Sequence, residues 1–134
     1  MQKTAIVKCA AAIVRDNALL LTRKRGTTTF ISPGGKPQPG EDNLDCLARE
    51  VREELDVAIQ DASYLGMFRG VAAFEGIPIE MHVYLADIVG EPRASAEIEE
   101  IVWYRSDLAG PAPQVGSVFA NAVIPLLLKK KLIA

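Results

Sequence analysis

The chain is short of the residues that mark several common classes of protein. It has two cysteines, Cys9 and Cys46, and a single histidine, His82. Two cysteines make no disulfide framework, and in segments that read as strand and helix interior they suit buried free thiols in a reducing compartment. His82 shares a predicted strand face with Glu80 and Tyr84 and reads as a structural residue rather than a catalyst. Charge of one sign is also missing. The formal net charge is −2, which leaves no electrostatic footprint for a nucleic acid polymer or a membrane surface. No apolar run approaches the roughly 18 residues needed to span a bilayer. The N-terminal stretch MQKTAIVKCAAAIV is broken by Lys3 and Lys8 and reads as a strand, not a signal peptide. A cytoplasmic protein is expected. Internal repeats and flexible linkers are absent too, so the 134 residues predict one domain, 1–134, long enough to bury a core without disulfides.

The residues that are present predict a mixed α/β order. Residues 4–14 and 18–22 flank the turn Arg15-Asp16-Asn17, a hairpin signal. A polar loop, 23–29, precedes a short strand at Phe30 and Ile31. Pro33, Gly34, Gly35, Pro37, Pro39 and Gly40 then form a loop that cannot be helical. A helix opens at Asp42, its expected N-cap, and runs to about Leu55. Residues 57–74 read as one or two strands and Glu75-Gly76 as a turn. In IPIEMHVYLADI, Ile77, Ile79, Met81, Val83 and Leu85 alternate with Glu80, His82 and Tyr84, the pattern of a half-buried strand. After a polar loop at 90–98, IVWYR is a last strand. A rigid loop, AGPAPQVG, leads to a helix over about Ser117–Lys131 that Pro125 must kink or restart. Its three terminal lysines suit a helix C-terminus.

The helix after the glycine–proline loop carries an unusual face. At about 100° per residue, Leu44, Leu47, Val51 and Leu55 form one stripe that must face the core. Glu50, Glu53 and Glu54 fall in an adjoining arc, where like charges repel by a few tenths of a kcal/mol per pair. Arg49 and Arg52 offset part of this. Taken alone, such a face is ordinary solvated surface. The preceding loop changes the reading, because a glycine pair brings backbone close to a ligand and the prolines stiffen its approach. Hard oxygen donors so arranged suit Mg²⁺ or Mn²⁺ held together with substrate phosphates.

The stretch from Gly35 to Val57 resembles the Nudix box, G-x5-E-x7-R-E-U-x-E-E-x-G-U, where U is a bulky aliphatic residue. Gly35, Glu41, Arg49, Glu50, Val51, Glu53, Glu54 and Val57 fill its defined positions, and Asp56 replaces the last glycine. Strand order, chain length, the preceding SPGG and a later AEIEEIVW segment extend the similarity to MutT-like members of that hydrolase family over most of the chain. The resemblance implies an α/β/α sandwich with a mixed sheet and a loop–helix–loop catalytic motif. It further implies hydrolysis of a nucleoside diphosphate linked to another group, with Mg²⁺ or Mn²⁺ as cofactor. Glu50, Glu53, Glu54 and the Gly34 carbonyl would be metal ligands. Arg49 would pair with a glutamate, and Glu41 would play a supporting part. Glu97, six residues before Trp103, would be a further metal-binding or base-like carboxylate, with Glu99 and Glu100 as rivals. Asp56 ends the helix where a left-handed residue is common; Asp enters that region better than most residues, at a cost of about 1 kcal/mol.

For the reaction, metal ions would neutralise the pyrophosphate oxygens and activate water for in-line displacement. Glu53 is the first choice of general base and Glu97 the second. Arg23, Lys24 and Arg25 are either phosphate contacts or a solvated strand end, and Phe30 either lines a base pocket or belongs to the core. The marks of related ADP-ribose, dinucleoside polyphosphate and NADH hydrolases are absent, and LLLT matches only a fragment of a coenzyme A signature. That leaves conversion of a (d)NTP to its monophosphate and pyrophosphate as the default, with ADP-ribose or a nucleotide sugar next. A non-catalytic nucleotide sensor is the third reading, against which all the box carboxylates stand. The alternating strands would suit a homodimer, though no residue demands one.

Overall fold

A computed structural model of the chain describes residues 5–72, 74 and 76–134. Its elements in chain order are β1 (Ile6–Arg15), β2 (Ala18–Lys24), β3 (Phe30–Ile31), β4 (Gly34–Gly35), α1 (Asn43–Leu55), β5 (Ala58–Val71), β6 (Pro78–Val89), β7 (Ile98–Tyr104), a π-helical turn (Phe119–Val123) and α2 (Ile124–Lys129). The expected first residue of β1, Thr4, and Glu75 of the expected turn lie outside the described residues.

The first hairpin is made by two residues in the left-handed region, Asp16 (φ 52°) and Asn17 (φ 63°), the geometry that matches strand twist in a two-residue loop. Only Val14↔Leu19 and Arg15↔Ala18 pair across it. Beyond that point the strands diverge. β1 runs parallel to β6 from Ile6 to Ile13 and takes β4 antiparallel at Cys9 and Ala10. β2 pairs antiparallel with β3 and with β7. The sheet is therefore mixed, and its main path runs β3-β2-β1-β6-β5.

Because β1 is buried on both faces, it reads as a run, CAAAI, rather than as an alternation. Cys9, Ala11 and Ile13 face a core built with Leu47, Val51 and Leu55 of α1. Ala10 and Ala12 face a second core with Phe119, Val123 and Leu127. Helix, sheet and helix thus form the expected three layers. The C-terminal segment stays helical through Pro125 by widening. Proline lacks the N–H for the normal ladder, and the Ile124 N–H donates to the Phe119 carbonyl five residues back.

Of the one or two strands expected over 57–74, the described residues form one, Ala58–Val71, bent by register shifts at Ile59/Asp61 and Tyr64/Gly66. Other expectations need correction. β2 continues through Lys24 into the expected loop. β6 is half-buried only at first, since Ala86 and Ile88 on its second face are covered by the α1 core. Leu44 is 51% exposed, and Cys46 takes the buried place in the first half of α1.

Candidate active site

The site begins where the chain packs too closely for side chains. A Cβ on Gly34, whose φ is 147°, would collide with the Cys9 carbonyl of β1. A Cβ on Gly35 would lie 2.5 Å from Glu50 Oε1. The pair therefore lies flat between β1 and α1. Its position is fixed by β4 pairing and by the Ala11 N–H donating to the Pro33 carbonyl at 2.9 Å. From there the Gly34 N–H donates to Glu54 Oε1 at 3.0 Å.

Helix α1 is fixed at both ends. Asp42 Oδ1 accepts from the Asp45 N–H at 2.8 Å, and Asp56 closes the helix in the left-handed region with φ 57° and ψ 38°. The three glutamates of the predicted arc separate. Glu54 is 2% exposed, which places it among the core side chains. Burial pushes its carboxyl up to about 8, against the pull of the Gly34 N–H and with further upward push from Glu50 and Glu97. Glu50 is pushed up by burial too, against the attraction of Arg49. Glu53 stands half-exposed on the outer side, 3.5 Å from Arg49.

Arg49 is the hub of the outer arc. It grips Glu41 with two 2.9 Å hydrogen bonds, from Nε to Oε2 and from Nη2 to Oε1. The guanidinium, aided by the Gln38 N–H, holds the Glu41 carboxyl down at about 2. Arg49 Nη1 also donates to Glu50 Oε1 at 3.0 Å. The bond braces the loop against the helix and clasps the carboxylate next to Gly35.

A second strand of chain straps the far end of α1. The Arg93 N–H donates to the Leu55 carbonyl at 2.8 Å and the Ser95 N–H to the Glu54 carbonyl at 3.0 Å. A tight turn follows, with Ala96 at φ 52° and the Ile98 N–H bonded to the Ser95 carbonyl. The Glu97 carbonyl accepts from the Arg25 N–H, and the Glu97 side chain lines the same cleft as Glu50 and Glu54. Its rivals face away: Glu99 and Glu100 hold Arg23 at 2.8 and 2.9 Å.

The cleft has a volume of about 390 Å³. Glu50, Glu54, Glu97, Gly34 and Gly35 form its acidic end. Lys8, Lys24 and Lys36 add basic groups, and Val71, Phe74, Met81, Val118 and Phe119 make an apolar wall. Of the substrate candidates read from sequence, Arg23, Arg25 and Phe30 do not line it. Arg23 is engaged by carboxylates, Arg25 contributes its backbone, and Phe30 is a core residue whose N–H and carbonyl hold Gln114 and Gly116. Lys24, between the two arginines, does line it, with its ammonium 5.8 Å from the Phe74 ring centroid. Strand alternation separates Lys24 from its neighbours. The apolar wall had no sequence signal, because it is assembled from β5, β6 and the C-terminal helix.

Among the described residues, no three carboxylate, imidazole or thiol side chains are gathered tightly enough to clasp a metal ion by themselves. The donor set nonetheless fits a hard divalent cation: buried carboxylate oxygens, a backbone glycine step and space for phosphates. Glu54 in particular is a carboxyl whose burial favours the protonated form despite the Gly34 N–H and Lys24, a cost that a bound cation would offset.

Three comparisons bear on this geometry. The NUDIX domain family model matches residues 6–126. The NAD-capped RNA hydrolase NudC of Pseudomonas putida (strain GB-1) is 32% identical over 124 residues, covering 90% of this chain and 43% of that protein. The mRNA-decapping protein g5R of African swine fever virus is 31% identical over 100 residues, covering 63% of this chain and 41% of that one. The chain thus spans less than half the length of these relatives. Among solved structures, a MutT NUDIX hydrolase from Burkholderia pseudomallei superposes with a TM-score of 0.70 at 32% identity, covering 82% of this chain and 91% of its own.

Proposed function

The chain belongs to the Nudix hydrolase family, and from that premise we propose that it is a Mg²⁺- or Mn²⁺-dependent pyrophosphohydrolase of nucleoside diphosphates linked to another group. The observation that carries this reading is Glu54, a carboxyl buried in a cleft wall beside Glu50 and Glu97 and bonded to the Gly34 N–H. Glu50, Glu54 and the Gly34 carbonyl would hold the cation, with Glu53 reaching it by leaving Arg49. When bound, the cation supplies neutralisation of phosphate charge and activation of water. Arg49 and Glu41 keep loop and helix in register. Lys8, Lys24 and Lys36 meet phosphates, and the apolar wall at Phe74 and Phe119 takes the base. Glu97 is favoured over Glu53 as general base because it lines the cleft whereas Glu53 faces solvent and Arg49.

The finer reading is hydrolysis of a (d)NTP to its monophosphate and pyrophosphate. A second reading is supported by relatives named for the hydrolysis of NAD-capped RNA and for mRNA decapping: the nucleotide is the end of an RNA or a dinucleotide such as NAD. ADP-ribose and nucleotide sugars belong to the same comparison. The test is a panel of (d)NTPs, oxidised guanine nucleotides, ADP-ribose, nucleotide sugars, dinucleoside polyphosphates, NADH, NAD and NAD-capped RNA, with Mg²⁺ or Mn²⁺ and chromatographic identification of both products. Monophosphate and pyrophosphate from a (d)NTP support the first reading, and preferred cleavage of NAD or its capped RNA the second. Nucleotide binding with no turnover on any member would overturn both in favour of a sensor. Glu97→Gln and Glu53→Gln, compared by pH–rate profile, decide the base.

A further inference from the structure

The chain's two cysteines, which the proposed hydrolysis does not use, are brought together by the fold. Cys9 on β1 and Cys46 on α1 are 37 positions apart in sequence, both buried, with their sulfurs 2.9 Å apart. Each sulfur also points at the Gly35 carbonyl, at 3.6 and 3.7 Å. Packing alone needs one small apolar residue on each side and no sulfur on either. We propose that Cys9 and Cys46 are an oxidation site, at which a small hydroperoxide converts the two thiols to a disulfide tying β1 to α1 beneath the Gly34–Gly35 step.

The geometry supports both halves of the reaction. A disulfide is about 2.0 Å long, so the sulfurs need to close by about 0.9 Å. Cys9 is among the residues lining the cleft, but its sulfur faces the α1 core and is buried, so only a small peroxide that enters through local opening can reach it. The Cys9 sulfur attacks the peroxide: an S–O bond forms, the O–O bond breaks and, for hydrogen peroxide, one water leaves. The Cys46 sulfur then attacks the Cys9 sulfenic acid: the S–S bond forms, the S–O bond breaks and a second water leaves. The sulfur pair loses two electrons, the peroxide gains them, and both thiol protons end in water. Burial keeps both thiols protonated, so the first step is slow, while the second has its partner already in contact. The disulfide joins the helix one turn before Glu50, where the backbone of Gly35 rests on that carboxylate.

The experiment uses the whole reduced chain, exposed to hydrogen peroxide in a chelating buffer and sampled over hours. Free thiols are counted after denaturation, and intact and peptide masses are measured. The expected result is that the thiol count falls from two to zero together, with loss of two hydrogens, a cross-linked pair of peptides bearing residues 9 and 46, and reversal by dithiothreitol. Native protein that keeps both thiols while the denatured chain loses them would overturn the proposal. So would gain of oxygen at one cysteine with the other still titratable. Cys46→Ser is expected to stop Cys9 at its oxygen adducts. The wild-type masses decide the matter if that variant does not fold.

Discussion

Two segments of this chain share one plan. Residues 33–55 and 110–129 each lead from a glycine- and proline-rich loop into a helix, and the two helices cover opposite faces of the sheet. The first helix has a side-chain N-cap at Asp42 and a left-handed C-cap at Asp56. The second has no side-chain cap, and a π turn precedes the proline in its first turn. The first sets a carboxylate, Glu54, among its buried positions, whereas the second contains no acidic residue from Ser117 onward. Glu54 is nearly as well buried as its neighbour Leu55. A stiff loop before a helix is therefore a packing device that either face can use. What makes the first one the candidate site is a carboxylate at an angle where a leucine would pack, held over a glycine step with no side chains. The second segment supplies the opposite need, an apolar wall at Val118 and Phe119 for the same cleft.

The comparison predicts that the two segments fail in different ways. Glu54→Gln is expected to lower kcat/KM by about 10³-fold or more, almost wholly in kcat, while the circular dichroism spectrum stays unchanged. Retained turnover would show that the buried carboxyl is structural. Phe119→Ala should do the reverse. Phe119 is 3% exposed, and its truncation is expected to cost about 3–5 kcal/mol in urea unfolding. The folded fraction should keep its kcat, with KM raised by loss of the apolar wall. Equal loss of kcat in both variants would erase the division between an acidic and an apolar half.

Much of the first segment was legible because its determinants are local. Asp42 as N-cap, the helix end at Leu55 and the left-handed Asp56 follow from signals within a turn of the helix ends, whereas the resemblance implied only that Arg49 pairs with a glutamate, and the structure shows that partner to be Glu41. The same is true of the Asp16-Asn17 hairpin. What spacing fixes is an angle about the helix axis, not what lies opposite at that turn. Leu44 has the angle of the buried stripe but sits in the first turn, where it is exposed. Glu53 lies about 60° beyond Glu50, enough to leave the cleft for Arg49. The π turn and the apolar wall were not legible, since both depend on how β5, β6 and the C-terminus meet in space. Phe30, open between pocket and core in the sequence, is buried in the second core, and its backbone N–H and carbonyl bond to the second loop.

A smaller effect separates the two segments by pH. Glu54 has its folded pKa raised to about 8, above the ordinary carboxylate value of 4.5. The fold therefore favours the protonated acid. In chelator, the stability this group allows is fully present below about pH 4.5 and is lost progressively as pH rises through 8, by an amount on the order of a few kcal/mol. Glu41, held down at about 2, has the opposite sign: its contribution is present above about pH 4.5 and is lost as pH falls through 2. Thermal melts of the metal-free protein from about pH 5 to 9 should show Tm falling, and Mg²⁺ should restore it most at the alkaline end. Glu54→Gln should flatten the profile, whereas Phe119→Ala should shift it down without changing its slope. A flat wild-type profile would mean that the Glu54 carboxyl is already satisfied without a cation.

The smallest expected effect concerns the cap at the end of α1, the feature the second helix lacks. Asp56 holds φ 57° and ψ 38°, a conformation that costs a residue with a Cβ about 1 kcal/mol relative to glycine. Asp56 recovers little of this through Arg93, whose guanidinium is 3.8 Å away with both side chains well exposed. The Asp56 N–H, which donates to the Arg52 carbonyl, is backbone and survives substitution. So does the strap from Arg93 and Ser95 to the Leu55 and Glu54 carbonyls, which carries Glu97 to the cleft. Asp56→Gly should therefore stabilise the protein by up to about 1 kcal/mol in urea unfolding, with kcat unchanged. Asp56→Ala, which keeps the Cβ and removes the carboxylate, should be no more stable than wild type. If Asp56→Gly instead destabilises the protein and lowers kcat, the Asp56–Arg93 pair is holding the strap, and the aim of Glu97 depends on a side chain at the one position where this chain departs from the box.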